Sequence, residues 1–342
     1  MAPAVLDFAG RALAGKRSFT PADLVDERTP FGLSREGTYL WGTLRSDDGE
    51  LCSVMRRIPP APAAEGADGG ASDAGQALAL GDRLMVLAAF DGGDALRLRR
   101  EAKVAARSRD ITRELRDGTA VLAAAASDQA AMRAEIGDTS FTYVEDGVLD
   151  LRGELACSPL HWYLPGRTAS LYYPTQTYLV SGTALGRPVR GFLFVEEAYM
   201  LPGGVLYVRK DPLHDVNYLT WHSWATRWED GRTEIGHVLF GAGDFHVGLV
   251  ADDAGNVRSA LTMDVGVTRA ADGYWHDGIA VVMDGTAWEL VPDPAGRMVD
   301  LGPIPNPQQE SLMRRAGEVR QPDVWMAWGE SLPKVGNRRI SS

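Results

Sequence analysis

An aromatic and apolar run ends in two adjacent acids, Glu196 and Glu197. Neighbouring side chains of a β-strand point to opposite faces, so Phe192, Phe194 and Glu196 should share one face and Glu197 the other. A carboxyl that faces an apolar cavity is costly to ionise, which raises its pKa and suits it to protonate an alkene, a hydroxyl or a carbonyl. The alternative is that both acids are solvated or paired with an arginine such as Arg190.

A histidine lies between tryptophans in a second run, 219–228. Strand alternation places His222 on one face with Trp224 and Trp228, and Trp221 on the other. A histidine in a pocket can act as a general base. It can equally be a core histidine that donates to a backbone carbonyl.

These two runs supply most of the candidate site. The candidate catalytic residues are Glu196 or Glu197 as proton donor, His222 as base or orienting group, and Tyr199 as hydrogen-bond donor. The candidate substrate-binding residues are Phe192, Phe194, Trp221, Trp224, Trp228, His214 and Asp215. The last two follow Pro212 in a predicted loop, where they would lie at a cavity mouth or form an ordinary polar pair.

Asp244 and His246, with His237 of the preceding predicted strand, suggest a metal site, since facing strands could bring two imidazoles and a carboxylate together. No HxH or HExxH spacing supports it, and no metal is predicted. We expect His276 and Asp277 to have a surface role. The sequence has no GxGxxG, Walker or GxSxG motif, so no cofactor is predicted either.

Composition narrows the possible partners. The 342 residues carry a formal net charge of −11, with 45% hydrophobic and 24% charged residues. An acidic chain without a basic face argues against nucleic-acid binding. No stretch of 18 apolar residues and no secretory signal is seen, which predicts a cytoplasmic protein without a membrane span. Cys52 and Cys157 are expected to be reduced core thiols, with a disulfide between them as the less favoured alternative.

The candidate site residues lie in short runs in which apolar and polar residues alternate. These runs are separated by turns such as Asp146-Gly147, Asp230-Gly231 and Asp284-Gly285. The pattern predicts an all-β fold of two antiparallel barrels or sandwiches, with a few short helices. Strands are predicted at 38–44, 50–55, 83–90, 141–144, 148–155, 177–182, 188–197, 205–209, 218–228, 233–240, 244–251, 257–268, 274–283, 286–291 and 324–329. Short helices are predicted at 4–14, after Pro21 and at 308–318.

A shift towards aromatic residues after Pro159 predicts a domain boundary near 158. The N-terminal domain would span 1–158 with a flexible Pro-, Ala- and Gly-rich insertion at 59–76, and the C-terminal domain 159–330 with a polar tail at 331–342. Trp41-Gly42-Thr43 and Trp224-Ala225-Thr226 each precede an Asp-Gly turn. This repeat suggests two copies of one antiparallel unit.

Several of these segments together resemble one protein superfamily: Val180-Ser181-Gly182, Glu196-Glu197, His222-Ser223-Trp224, Arg227 and Asp230-Gly231. It contains the carotenoid hydratases (hydroxyneurosporene synthase), AttH and lipocalin-like Diels–Alderases. Relatives often have Asp-His-Ser-Trp-Gly-x-Arg, whereas this chain has Trp221 in place of the Asp and Ala225 in place of the Gly. The resemblance implies two lipocalin-like β-domains and a hydrophobic substrate handled without a redox cofactor.

The leading hypothesis is a cofactor-independent hydratase, dehydratase, isomerase or cyclase acting by acid–base catalysis on a terpenoid, steroid or polyketide. The alternative is a non-catalytic carrier of a lipid-like ligand. Both predict a cavity for a hydrophobic small molecule. They differ in whether the glutamates are needed for turnover or are dispensable for binding.

Overall fold

The computed structural model describes residues 12–60, 82–124, 132–215, 219–241, 245–301 and 306–333. In these residues the fold is almost entirely antiparallel β, so the all-β prediction is confirmed. The predicted insertion lies outside the described residues except for 59–60, and so does the predicted tail except for 331–333. Most of the helix predicted at 4–14 also lies outside them.

Thirteen of the described strands form the first sheet, in the order β5-β4-β3-β2-β13-β12-β10-β9-β8-β7-β6, with β11 on β12 and β1 on β11. They are β1 (Leu13–Lys16), β2 (Ser34–Ser46), β3 (Leu51–Ile58), β4 (Met85–Ala88), β5 (Arg97–Leu98), β6 (Ile111–Arg116), β7 (Thr119–Ala124), β8 (Met132–Ile136), β9 (Ser140–Glu145), β10 (Leu149–Leu155), β11 (Leu160–Leu164), β12 (Leu171–Ala184) and β13 (Arg187–Met200).

Nine described strands form the second sheet, in the order β17-β16-β15-β14-β22-β21-β20-β19-β18. They are β14 (Thr220–Trp228), β15 (Thr233–Phe240), β16 (His246–Asp252), β17 (Val257–Ser259), β18 (Met263–Arg269), β19 (His276–Met283), β20 (Thr286–Arg297), β21 (Gln308–Arg315) and β22 (Pro322–Ser331).

The helices among the described residues are short. They are α-helices at Ala22–Val25 and Pro212–Asp215, and 3-10 turns at Pro30–Gly32 and Ser108–Asp110. The helix predicted after Pro21 is therefore present. The helix predicted at 308–318 is wrong, because Gln308–Arg315 pairs with β20 on one side and β22 on the other. Pairing with distant strands outweighs local helix propensity there.

The first sheet continues along the chain beyond residue 158, near which the domain boundary is predicted. Strands β11, β12 and β13 all belong to the first sheet, and the next long strand, β14, opens the second. β13 pairs along almost its whole length with β2, near the start of the chain. A composition shift cannot reveal such a pairing, because it joins segments about 150 residues apart in the printed sequence.

The same pairing pattern occurs in both sheets. β2 lies between β3 and β13, the last strand of its sheet, and β14 lies between β15 and β22, the last strand of the other. This agrees with the two-copy suggestion. The two repeat tryptophans are not equivalent, however, since Trp41 faces the layer between the sheets and Trp224 faces the inside of the second sheet.

Because the sheets curl, the described residues form three large apolar layers, beside a small cluster of Leu33, Tyr172 and Tyr199. One core, which includes Val86 and Ala134, is enclosed by the first sheet, and another, which includes Val238 and Met313, by the second. The third lies between the sheets and contains residues of both, such as Phe194 and Leu239. Each sheet is therefore buried on both faces near its centre.

The sequence predicts reduced cysteine thiols and no membrane span, and the structure bears on both predictions. Cys52 and Cys157 are both buried and free, and they lie in different cores. The structure therefore has reduced thiols instead of a disulfide. In the described part of the chain, no helix has the length and apolar character needed to cross a membrane.

We expect Gly42→Ala to destabilise the fold by about 3 kcal/mol. A Cβ at Gly42 would lie 2.1 Å from the backbone oxygen of Phe192, and backbone cannot move aside cheaply. In the control Gly266→Ala a Cβ meets nothing within 4 Å, so its effect should stay within about 0.5 kcal/mol. Urea denaturation measures both, and equal effects would contradict this packing of β2 against β13.

Candidate active site

Strand β13 sends its two glutamates to opposite sides of the first sheet. Phe192 and Phe194 belong to the layer between the sheets, whereas Leu193 belongs to the core inside the first sheet. Glu196 therefore faces the layer between the sheets and Glu197 the interior of the first sheet, as strand alternation predicts. Both side chains are fully buried.

Glu196 is held by hydrogen-bond donors from several strands. The Trp41 indole N–H donates to its Oε2 at 2.5 Å, and the Tyr173 hydroxyl donates to the same oxygen at 2.6 Å. The Thr175 hydroxyl donates to Oε1 at 3.2 Å, and Ser223 of the second sheet also hydrogen-bonds the carboxyl. The carboxyl thus links β2, β12 and β14 across the two sheets.

Among the described residues no cation pairs with Glu196. Burial raises the pKa of this carboxyl to about 7, and the hydrogen bonds from Tyr173, Trp41, Thr175 and Ser223 oppose the rise. Near neutral pH the group therefore populates both its acid and its base form. This is the protonation behaviour that a general acid–base catalyst requires.

Ser223 connects Glu196 to a buried histidine. Its hydroxyl lies 2.9 Å from Nδ1 of His237, and burial lowers the pKa of that imidazole to about 3, so it is neutral. When Glu196 is ionised, Ser223 can donate to it while accepting from His237 Nδ1–H. When Glu196 is protonated, the hydroxyl can turn and donate to the other tautomer of His237.

A cavity of about 60 Å³, partly open to solvent, lies beside this network between the two sheets. Its aromatic lining residues are Tyr39, Trp41, Tyr173, Tyr207, Trp221 and Trp328. Its polar lining residues are Ser223, Gln308 and Glu330, and Met55, Leu206 and Gly329 complete the wall. Three of the lining residues, Trp41, Tyr173 and Ser223, are hydrogen-bonded to Glu196, which therefore lies immediately behind the wall.

A second carboxyl lines the cavity from the second sheet. Glu330 of β22 lies opposite Gln308 of β21 in the register, and the Gln308 amide N–H donates to Glu330 Oε2 at 2.5 Å. The amide oxygen of Gln308 accepts the Trp328 indole N–H at 2.8 Å. The chain Trp328–Gln308–Glu330 thus fixes the orientation of the carboxyl at the wall.

Glu197 has a different environment from its neighbour. Its Oε1 lies 2.9 Å from Nε of Arg35, in an ion pair that is almost completely buried, and it accepts the Tyr199 hydroxyl at 3.1 Å. Burial raises the pKa of Glu197, and the Arg35 guanidinium opposes that rise. Glu197 and Tyr199, both predicted catalytic residues, do not line the cavity.

The structure also places His222 away from this cavity. Its ring lies inside the second sheet, 3.0 Å from the Thr220 hydroxyl through Nδ1, and its centroid is 5.7 Å from that of His276. Burial lowers its pKa well below the usual range, and the nearby His276 adds to the effect. Trp224 lies in the same interior, against Trp288.

The remaining predicted substrate-binding residues differ in whether they line the cavity. Trp221 lines the cavity, whereas Phe192 and Phe194 pack behind it in the layer between the sheets. Trp228 lies at a bulge of β14 and donates to Glu234. His214 and Asp215 end the short helix Pro212–Asp215, and their side chains lie outside the described part of the chain.

Three further histidines, His237, His246 and His276, have a metal-binding or a surface role in the predictions from the sequence. Asp244 lies outside the described residues, and among those described no group of three or more His, Cys, Asp or Glu side chains could hold a metal. His237 contacts Ser223, and His246 lies at the start of β16. The surface role expected for His276 is wrong, because its side chain is buried inside the second sheet.

A larger surface groove is a poorer candidate for the active site than the cavity beside Glu196. A surface groove of about 590 Å³ is lined by Arg190, Arg227 and Asp323 among others. Arg190 lies 2.8 Å from Asp323, so its charge is already paired, and none of the described residues that line the groove is a buried titratable group. The smaller cavity beside Glu196 combines aromatic walls with convergent polar groups, as binding sites commonly do.

Sequence reasoning missed several cavity residues. Tyr39, Tyr173, Gln308 and Glu330 come from four strands, three of which belong to parts of the chain never connected with the site. One signal was available: the run that ends at Glu330 is apolar and aromatic and ends in a carboxylate, as does the run that ends at Glu196.

The solved structures to which this chain is similar include the three that follow, whereas no protein-family model and no curated protein matches the sequence. A protein assigned as AttH from Nitrosomonas europaea has a TM-score of 0.49 at 16% identity, over 96% of this chain and 98% of that chain. Kievitone hydratase from Nectria haematococca has a TM-score of 0.43 at 8% identity, over 87% and 89%. CghA with Sch210972 has a TM-score of 0.42 at 10% identity, over 86% and 87%.

AttH is one of the proteins to which the sequence resemblance points. The identities are 16% or lower and the TM-scores are below 0.5. These similarities therefore assign no function to this chain.

We expect Glu196→Gln to change the pH dependence of stability. The pKa of Glu196 rises from 4.5 to about 7 on folding, so protonation of this carboxyl stabilises the folded state. This contribution to the free energy of unfolding is fully present below pH 4.5 and is lost as the pH rises through 7. Glutamine does not titrate. The free energy of unfolding of the variant relative to wild type should therefore increase by about 1–3 kcal/mol from pH 5 to pH 8. Urea denaturation at both pH values measures this difference, and a constant difference would contradict the raised pKa.

Proposed function

We propose that this protein is a hydratase, dehydratase, isomerase or cyclase that acts on a hydrophobic molecule, with Glu196 as proton donor and acceptor. The observation that carries the proposal is a fully buried carboxyl that pairs with no cation of the described residues and is bonded to Trp41, Tyr173 and Ser223 in an aromatic cavity wall. Carboxyl groups with strongly raised pKa values beside a cavity are concentrated at functional sites.

In the hydration direction, protonated Glu196 transfers its proton to one carbon of an alkene. Ser223 relays it by giving its own proton to the substrate while taking that of Glu196. A C–H bond forms, the π bond breaks, and the other carbon becomes cationic, where the rings of Trp41, Trp221 and Trp328 stabilise it. Water then adds its oxygen and releases a proton to the Glu196 carboxylate. The sum is the addition of one water, and dehydration is the reverse.

The same first step leads to the other two reaction types. Loss of a proton from a neighbouring carbon to Glu196 gives an isomerised alkene. Attack by a second double bond forms a C–C bond that closes a ring and leaves a new cation, which becomes an alkene by losing a proton to Glu196. Terpenoids, steroids and polyketides carry such groups on apolar skeletons. Because the cavity volume is only about 60 Å³, it would enclose the reacting end of such a molecule and not its whole skeleton.

Glu197, Tyr199 and His222 have no direct catalytic part in this proposal. The first two form a buried ion-pair network with Arg35, whose loss would destabilise the first sheet. His222 lies inside the second sheet and contacts Thr220. His237 instead supports the site, since its ring nitrogen orients the Ser223 hydroxyl.

We expect Glu196→Gln to lower turnover by about 10²–10⁴-fold while ligand binding is kept, because glutamine retains hydrogen bonding but cannot transfer the proton. The ligand is found by mass spectrometry of apolar molecules that co-purify with the full chain. Turnover of that molecule and of its hydrated and dehydrated forms is then followed as label uptake from H₂¹⁸O and D₂O. For alkene hydration, the rate should fall as the pH rises above about 7, where Glu196 loses its proton.

Glu310→Gln is the matched control. Glu310 is also fully buried, and burial raises its pKa to about 7, but it bonds Thr43 and the Ala327 backbone and does not line the cavity. We expect it to keep turnover within about threefold of wild type. Unchanged turnover in Glu196→Gln would contradict the proposal. A ligand bound equally by both variants, with no turnover by wild type, would identify a carrier instead.

A further inference from the structure

A group of buried polar side chains inside the second sheet has no part in the proposed chemistry. It consists of His222 on β14, His276 on β19, and Gln309 and Ser311 on β21. All four are at most 2% exposed. In the part of the chain that the structure describes, five polar atoms of this group have no hydrogen-bond partner: Nε2 of His222, both ring nitrogens of His276, Oε1 of Gln309 and Oγ of Ser311. Buried polar atoms are rarely left unpaired, so this concentration indicates a binding site.

Strand pairing brings His222 and Gln309 together across a glycine. Both are paired with Gly329 of β22, one from each side, so the three positions form a row across the sheet. A Cβ at Gly329 would lie 2.3 Å from Cγ and Cδ2 of His222, so the imidazole occupies the space that any other residue would fill there. Since β21 lies on the far side of β22, the ring extends over the glycine towards Gln309.

His276 reaches the same place from a more distant strand of the curled sheet. Its ring centroid is 5.7 Å from that of His222, with the ring planes at 83°. Its backbone oxygen accepts the side-chain amide N–H of Gln309 at 3.2 Å, so the amide lies against the backbone of this histidine. Two imidazoles and one amide, carried by β14, β19 and β21, therefore meet inside the second sheet.

Hydrogen bonding determines which nitrogen of His222 can bind a ligand. The Thr220 hydroxyl donates its single hydrogen to the backbone oxygen of Glu330 at 2.9 Å. The same hydroxyl lies 3.0 Å from Nδ1 of His222 and therefore accepts Nδ1–H, which leaves a lone pair on Nε2. Histidines that bind metals usually donate their other ring N–H to an oxygen in this way.

Both imidazoles are in the form that ligates metals. Burial lowers the pKa of His222 well below its usual range and that of His276 to about 4, and the charge of Arg269 adds to both effects. The two rings are therefore neutral near pH 7, as metal ligation requires. Arg269 itself donates to the Ser331 hydroxyl at 2.7 Å and is partly exposed, so solvent screens part of its repulsion of a cation.

We propose that this group binds a transition-metal ion of the zinc type, with Nε2 of His222, one ring nitrogen of His276 and Oε1 of Gln309 as ligands. Among the described residues no third His, Cys, Asp or Glu completes a group of three, so the amide oxygen is the third protein ligand. Two imidazoles that share a zinc ion, with Zn–N distances of about 2.0–2.1 Å, have centroids roughly 5–6 Å apart. The separation of 5.7 Å agrees with this geometry.

An ion at this place would support the cavity wall from behind. Trp221 and Ser223, which line the cavity, flank His222 on the other face of β14, and Gln308, which also lines it, precedes Gln309 on β21. The ion would link β14, β21 and β19, which are not all neighbours in the sheet, and so fix the curl of the second sheet. Its role is structural, and it takes no part in the proposed proton transfer.

The test titrates Zn²⁺, Cu²⁺ and Mg²⁺ separately into the full-length protein after treatment with a chelator, with binding followed by calorimetry. We expect one Zn²⁺ per chain with a dissociation constant of about 1–10 µM, because the ligands are neutral and Arg269 lies nearby. Cu²⁺ should bind more tightly and Mg²⁺ should not bind, since imidazole favours the former and Mg²⁺ requires oxygen ligands. Zn²⁺ at about 100 times its dissociation constant should raise the midpoint of thermal unfolding by about 4 °C.

His276→Gln should weaken Zn²⁺ binding at least about tenfold, because it removes one of the two imidazoles. His161→Gln is the matched control, since this half-buried histidine lies on β11 of the first sheet beside Tyr172, and it should bind Zn²⁺ as wild type does. Gln309→Glu should bind Zn²⁺ at least about tenfold more tightly than wild type, because it replaces a neutral oxygen ligand by a charged one. This variant keeps the inference testable if His276→Gln does not fold.

No binding of Zn²⁺ or Cu²⁺ up to about 1 mM would overturn the inference and leave ordered water as the partner of these groups. Equal Zn²⁺ affinity in His276→Gln and in wild type would place the ion elsewhere and overturn it too, as would unchanged or weaker binding by Gln309→Glu. None of these measurements depends on turnover. They are therefore independent of the test of Glu196, and either conclusion can fail without the other.

Discussion

The burial of the Glu196 carboxyl between two sheets, with no paired cation among the described residues, is the constraint around which the candidate site is arranged. Taking Glu196 out of water is unfavourable, and donors from Trp41, Tyr173, Thr175 and Ser223 offset part of that cost. These residues lie on β2, β12 and β14, so the carboxyl is satisfied only when both sheets are folded and packed together. The site is thus a product of the sheet–sheet packing and not of either sheet alone.

Two adjacent acids on one strand illustrate how environment decides role. Glu197 faces the inside of the first sheet and is paired with Arg35, which makes it part of a buried ion pair. Glu196, one residue earlier, faces the other way and pairs with no cation in the part of the chain that the structure describes. A buried pair with a fixed partner resists a change of charge, whereas a lone buried carboxyl can gain or lose a proton near neutral pH. Alternation along the strand is sufficient to separate the two roles.

Local pattern made the fold class and the faces of β13 predictable, because turns and alternation are encoded within a few residues. The partners of Glu196 were not, since Trp41 and Ser223 come from strands about 180 residues apart in the printed sequence. The same reason explains His222, whose run was recognised but whose face points into the second sheet. It also explains Gln308, placed in a helix by propensity yet paired in a strand beside Glu330. Long-range pairing decides these positions, and one sequence does not display it.

The protonation state of Glu196 is the central claim, and isotope-edited infrared spectroscopy tests it directly. The full-length protein is labelled with ¹³C at the glutamate side-chain carboxyls and its spectrum is recorded from pH 5 to pH 9, with Glu196→Gln as reference. The difference between the two should contain a protonated carboxyl band that disappears with a midpoint near pH 7. A Glu196 signal that is already carboxylate at pH 5 would contradict the claim.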